Sequence, residues 1–232
     1  MKLLSSLTMN GKTTLNGKLS QMSICKWNIY FIALLMLIPG TLKAGESRLK
    51  AFCKLSRPEK CWVIFHPLVA SRAWKSTKLT RQITFEVAQD SLLDGDVNGG
   101  QLDAFRHTFW VATLSQKMRW KKAWRLAEAH EKGNYLAYKN GKMEDGSLAD
   151  SASSEMDRFN NQLGIEIGRK NKMASQESLS RLVIKAILDG QARVLSKNIQ
   201  GEYLDCEHKI ISDSSGKWNI PKCLIPSNIP RE

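Results

Sequence analysis

The chain has 232 residues, room for one domain of ordinary size or two small ones, and it shows neither an internal repeat nor a low-complexity segment. Its formal net charge is +13. That balance is basic without being extreme, and it suits an anionic partner such as phospholipid, cell-wall polymer or nucleic acid without choosing among them.

The first 44 residues read as a leader. Lys26 precedes an apolar run from Trp27 to Pro39, and Thr41-Leu42-Lys43-Ala44 places Leu at −3 and Ala at −1 of a cleavage site after Ala44. The run is too short to favour a spanning helix. Residues 1–21 are a polar, extended n-region, or belong to a start assigned too early. Residues 22–44, opening at Met22, make a signal peptide of ordinary length. The alternative is an uncleaved membrane anchor. Removing 1–44 takes away five lysines and no acidic residue, so a mature chain would carry 30 basic and 22 acidic residues, a net +8. An exported protein, periplasmic or secreted, is the expectation.

Cys25 lies in the leader, which leaves Cys53, Cys61, Cys206 and Cys223. An even number after export points to disulfides. The closest pairings are Cys53–Cys61 and Cys206–Cys223, out of three connectivities.

Residues 45–66 form a disulfide-bearing lead-in, and 67–199 a helical domain. Pro67 opens a helix that reaches about Leu93. A polar, Gly-rich loop follows at 94–100. Further helices are expected over Gln101–Met118, Lys121–Lys132, a Ser153- or Ser154-capped stretch to Lys170, and Gln176–Ser196. The last carries Leu179, Leu182, Val183, Ala186 and Ile187 as its apolar stripe. Residues 200–232 form a disulfide-closed tail, with a hairpin expected between Lys209-Ile210-Ile211 and Trp218-Asn219-Ile220 across Ser214-Ser215-Gly216. The fold class is therefore mainly α: a single domain of about five helices with a small C-terminal disulfide-closed hairpin. Lys117, Arg119, Lys121, Lys122 and Arg125 make the densest basic cluster, read as a solvated helix end.

Three segments set ionisable and amide groups where a helix should show apolar residues. Asp103, Arg106, His107 and Trp110 fall at i, i+3, i+4 and i+7, hence on one helical face. Asp157, Asn160, Asn161 and Gly164 repeat that pattern, and His130-Glu131 with Asn134 lies on a helix between them. Buried charges cost several kcal/mol each unless paired or bound to metal, which favours a site over a plain core. His107 is a candidate general base or metal ligand, and Asp157 its carboxylate partner. His130 and Glu131 can supply a ligand and an acid or base, although the second histidine of HExxH is missing. Asn134, Asn160 and Asn161 can hold substrate or form a hydrogen-bond network that sets helix register. Asp94-x-Asp96-x-Asn98-Gly99 spaces oxygen atoms as a calcium loop does, with Phe105 in place of the usual Glu and Asp103 able to close a shortened loop. The competing reading is a Gly-rich turn capped by Asp103. A divalent metal is expected, calcium first and zinc as the alternative. No GxSxG, P-loop or GxGxxG occurs.

DAFRHTFW, AHE and EMDRFNNQLGIEIG, in this order, resemble a bacterial family described as a domain of unknown function. It occurs in exported proteins and as a C-terminal module of toxin-like proteins. The similarity runs from about Cys61 to Lys170. It implies that Asp103, Arg106, His107, His130, Glu131, Asp157, Asn160 and Asn161 share one site, and it implies no reaction. A looser likeness is to bacterial secreted phospholipase A2, a small helical disulfide-bonded fold with calcium and a His–Asp dyad. Here Thr108, not Asp, follows His107. The expected activity is hydrolysis of an ester or phosphoester, with a lipid or cell-wall polyanion preferred over nucleic acid as substrate. The alternative is a non-catalytic envelope module whose polar helix faces form a buried network.

Overall fold

The computed structural model describes residues 49–143, 148–212 and 216–231. The chain divides into two compact units, residues 1–54 and 55–232. In the first, the described part is a helical stretch at 49–54. The expected leader at 1–44 lies outside the described residues. In the second unit the elements run α1 (Arg57–Phe65), α2 (Pro67–Gln89), α3 (Gln101–Lys117), α4 (Trp120–Lys139), α5 (Ser151–Lys170), α6 (Gln176–Leu188), β1 (Arg193–Leu195) and β2 (Leu224–Pro226). The protein is mainly α, with a small two-stranded sheet and the Cys206–Cys223 disulfide near its C-terminus. No helix among the described residues is long and apolar enough to cross a membrane.

The central helix is α3, with 12 of its 17 residues buried. Phe105 and Phe109 are wholly enclosed and stack on one another, and each buried aromatic contributes about 3 kcal/mol to folding. Around them pack Leu102 of α3 and Leu179, Val183 and Ile187 of α6. A second apolar cluster joins Trp62 of α1, Val69 and Ala73 of α2, Leu114 of α3 and Leu126 of α4. The seam between α3 and α5 is the tightest. A Cβ at Gly164 would overlap the carbonyl oxygen of Thr108, and one at Gly168 that of Ala112. The two glycines let the α5 backbone lie directly against α3, which sets Asp157 opposite His107.

Several boundaries differ from the sequence expectation. The helix α1 stands inside what read as a lead-in. A capping box starts it: Ser56 accepts from the Glu59 N–H, and the Glu59 carboxylate accepts from the Ser56 N–H. The cap of α5 is Asp150, whose side chain accepts from the Ser153 N–H. The last helix stops at Leu188 because Gly190 turns into the left-handed region at φ +77°, and 193–195 then become strand. In α6, Leu182 is exposed while the rest of the predicted stripe is buried. The sheet pairs 193–195 antiparallel with 224–226 and not 209–211 with 218–220; Ile210 bridges Leu204 instead. Residues 213–215 of the expected turn lie outside the described residues. Of the two expected pairings, Cys206–Cys223 is formed; Cys53 lies on the helical stretch 49–54 of the first unit and Cys61 within α1 of the second.

Candidate functional site

Three ligand-bearing side chains meet where α3 faces α5. Atoms of Asp103, His107 and Asp157 all lie within 4.8 Å of one another, and all three residues are buried. The His107 Nε2 is 3.4 Å from an Asp157 oxygen and 3.6 Å from an Asp103 oxygen. One turn of helix brings Asp103 and His107 to the same face, and the α3–α5 glycine seam brings Asp157 across. Arg106 donates to Asp103 at 2.7 Å and stands 3.4 Å from the His107 Nε2. The other Asp103 oxygen accepts from the Gly99 N–H at 2.8 Å, which pins the 94–100 loop to the group.

Burial dominates the electrostatics of the group. Burial pushes the Asp103 carboxyl up, a rise that Arg106 and the Gly99 hydrogen bond offset in part and Asp96 adds to. Burial holds the His107 imidazole well below its usual value, and Arg106 and His130 lower it further; Asn161 opposes them. The imidazole is thus neutral, the form that ligates metal or accepts a proton.

The group opens into a cavity of about 260 Å³, lined by Asp103, Arg106, His107, His130, Asn134 and Asp157 on the helical side. The His130 Nδ1 lies 3.1 Å from Glu59 of α1, and its ring meets the edge of Trp110. Trp110 is turned toward α2, donating to Thr77. Glu131 is fully enclosed and does not line the cavity. Consecutive helical residues point about 100° apart, so His130 and Glu131 cannot both face it. Asn160 clamps the backbone of Arg193, accepting from its N–H and donating to its carbonyl at 2.9 Å each, and so it fixes α5 to β1. Asn161 is buried beside His107.

The 94–100 loop holds its oxygens differently from the calcium-loop expectation. The Asp94 carboxylate accepts from the N–H groups of Asp96 and Gln101, and that of Asp96 from Asn98. The Lys197 ammonium bonds Asp96 and the Asn98 carbonyl, and Arg231 donates to Asp96 at 2.7 Å. A calcium ion in this loop would have to displace that ammonium. Asp103 belongs to the group with His107.

The opposite wall of the cavity was not foreseen. It comes from the tail, with Tyr203, Lys217, Ile220 and Lys222, and from the start of α5, with Asp150, Ser153 and Ser154. Lys222 donates to Asp150 at 2.7 Å and lies 3.6 Å over the Tyr203 ring. Tyr203 donates to the Asn98 carbonyl at 3.1 Å. Burial, with Asp96 and Asp150 nearby, pushes its phenol up to about 12, so it stays a donor. Only Cys223, next to Lys222, marks this wall in the sequence. Glu59 was also passed over, although Ser56-x-x-Glu59 is a capping-box signature.

No match is found among curated proteins or among solved structures. Residues 60–191, more than half of the chain and the span that carries α3, α4 and α5, match the family model described as a domain of unknown function (DUF6973), and the chain belongs to that family.

Proposed function

We propose that the protein is an exported hydrolase of an ester or phosphoester, with a divalent metal held by Asp103, His107 and Asp157. The observation that carries this reading is the meeting of a neutral, buried imidazole with two carboxylates at the floor of an open cavity. Asp103, His107 and Asp157 would hold the ion, and when bound it would supply Lewis-acid activation of a water. The imidazole among the ligands favours zinc here; calcium, which takes oxygen ligands, was the expectation for the 94–100 loop. Arg106 lies beside the group, where it can neutralise charge on the substrate oxygen, and His130, oriented by Glu59, can pass a proton to a leaving group. Export fits the Cys206–Cys223 disulfide, which belongs in an oxidising compartment. The basic mature chain fits an anionic substrate such as phospholipid or another envelope polyanion.

The test is turnover by the purified mature protein of a panel of carboxylic esters, phosphomonoesters, phosphodiesters and short-chain phospholipids, with calcium, zinc or manganese added. The expected result is hydrolysis of at least one class, reduced about 10²–10⁴-fold in His107→Ala and Asp157→Asn, both of which remain helical by circular dichroism. No turnover of any class with any of the three metals would overturn the reading.

A further inference from the structure

The helical side of the cavity lies within the matched span 60–191, whereas Tyr203, Lys217 and Lys222 lie beyond it. The tail therefore supplies the second wall of the cavity. Within it the Lys222 side chain is only 7% exposed, and its carboxylate partner Asp150 only 1%. Asp150 already accepts three hydrogen bonds: one oxygen caps α5 through the Ser153 N–H, and the other takes the Ser153 hydroxyl and the Lys222 ammonium. An ammonium carries three donors and no acceptor. Asp150 uses one, the face of Tyr203 lies against the group, and Lys222 lines the cavity. A desolvated ammonium with donors left over is costly until an anion meets it. The pair is also anchored at its base, because Cys223 is bonded to Cys206 three residues after Tyr203.

We propose that Lys222, supported by Tyr203 and Asp150, is a substrate-binding residue that holds a phosphate oxyanion, and thereby selects phosphoesters over uncharged esters. The proposal deepens the hydrolase reading and rests on it for the reaction, but not for the binding.

The experiment measures inorganic phosphate binding by calorimetry on the metal-supplemented mature protein, next to KM and kcat for a soluble phosphodiester and for short-chain phosphatidylglycerol. In Lys222→Met, phosphate binding is expected to weaken at least tenfold and KM for the phosphoesters to rise by a similar factor, with kcat changed less. Lys222→Arg is expected to restore most of the binding. Should Lys222→Met fail to fold, the paired change Asp150→Asn with Lys222→Gln removes both charges together and is read in the same way. A lower KM for phosphatidylglycerol than for the soluble diester assigns the anion to a lipid headgroup, and the reverse to a free phosphoester; both outcomes support the proposal. Phosphate binding that is absent in the wild type, or unchanged in the variants, overturns it. Phosphate binding without turnover would sink the hydrolase reading alone.

Discussion

Glu59 shows how a single residue joins the fold to the site. Its carboxylate accepts from the Ser56 N–H at the start of α1 and lies 3.1 Å from the His130 Nδ1 at the cavity wall. Burial raises its pKa, yet the hydrogen bond and attraction of His130, together with its bonds to Ser56, outweigh burial and leave it below the usual 4.5. A carboxyl depressed in the folded state stabilises the protein fully above its unfolded value and loses that contribution as pH falls through the folded one. Glu59→Gln is therefore expected to destabilise the protein at pH 6 and to lose most of that difference at pH 3, as read from urea unfolding at the two values. An equal difference at both values would show that the carboxylate's charge is not what matters. His107 was legible at this scale because its neighbours recur at helical spacing. Lys222 was not, because no periodicity surrounds it and only a disulfide brings it to the cavity.

Among the elements, α3 and α5 decide whether there is a site at all. Gly164 and Gly168 follow Asp157 on the same side of α5, and their missing side chains let Thr108 and Ala112 approach. Replacing a helical glycine by alanine ordinarily gains up to about 1 kcal/mol. Here the added methyl meets a backbone carbonyl that cannot turn aside, and overpacking of this kind costs about 1–3 kcal/mol. Gly164→Ala is thus expected to lower the urea midpoint and to move Asp157 away from His107, with activity lost more steeply than stability. A raised midpoint would show that the helices can separate at no cost. The polar stripes of α3 and α5 and their glycines could be read from the sequence as a pair of facing surfaces. The end of α6 and the β1–β2 pairing could not. They depend on Gly190 adopting a positive φ, and on Asn160 bonding the Arg193 backbone in place of a helix continuing.

For the whole molecule, the helices hold the acids and imidazoles, and the tail closes over them with cations. The Cys206–Cys223 bond closes a loop of 17 residues, worth about 3 kcal/mol by restricting the unfolded chain. Further ties are the Tyr138 hydroxyl to the Gly216 carbonyl and Trp218 packed on Tyr135 and Tyr138. The mainly α class and the terminal disulfide followed from composition and spacing. Where the tail folds back depends on contacts more than 70 residues apart in sequence, as between Lys222 and Asp150, and local pattern carries no trace of these. The proposed chemistry depends on an ion between α3 and α5. A crystal of the mature protein soaked in manganese, with data at the metal's absorption edge, tests it most directly. A single anomalous peak bounded by Asp103, His107 and Asp157, lost in His107→Ala, is the predicted result. A peak in the 94–100 loop alone, or none in the protein, would contradict it.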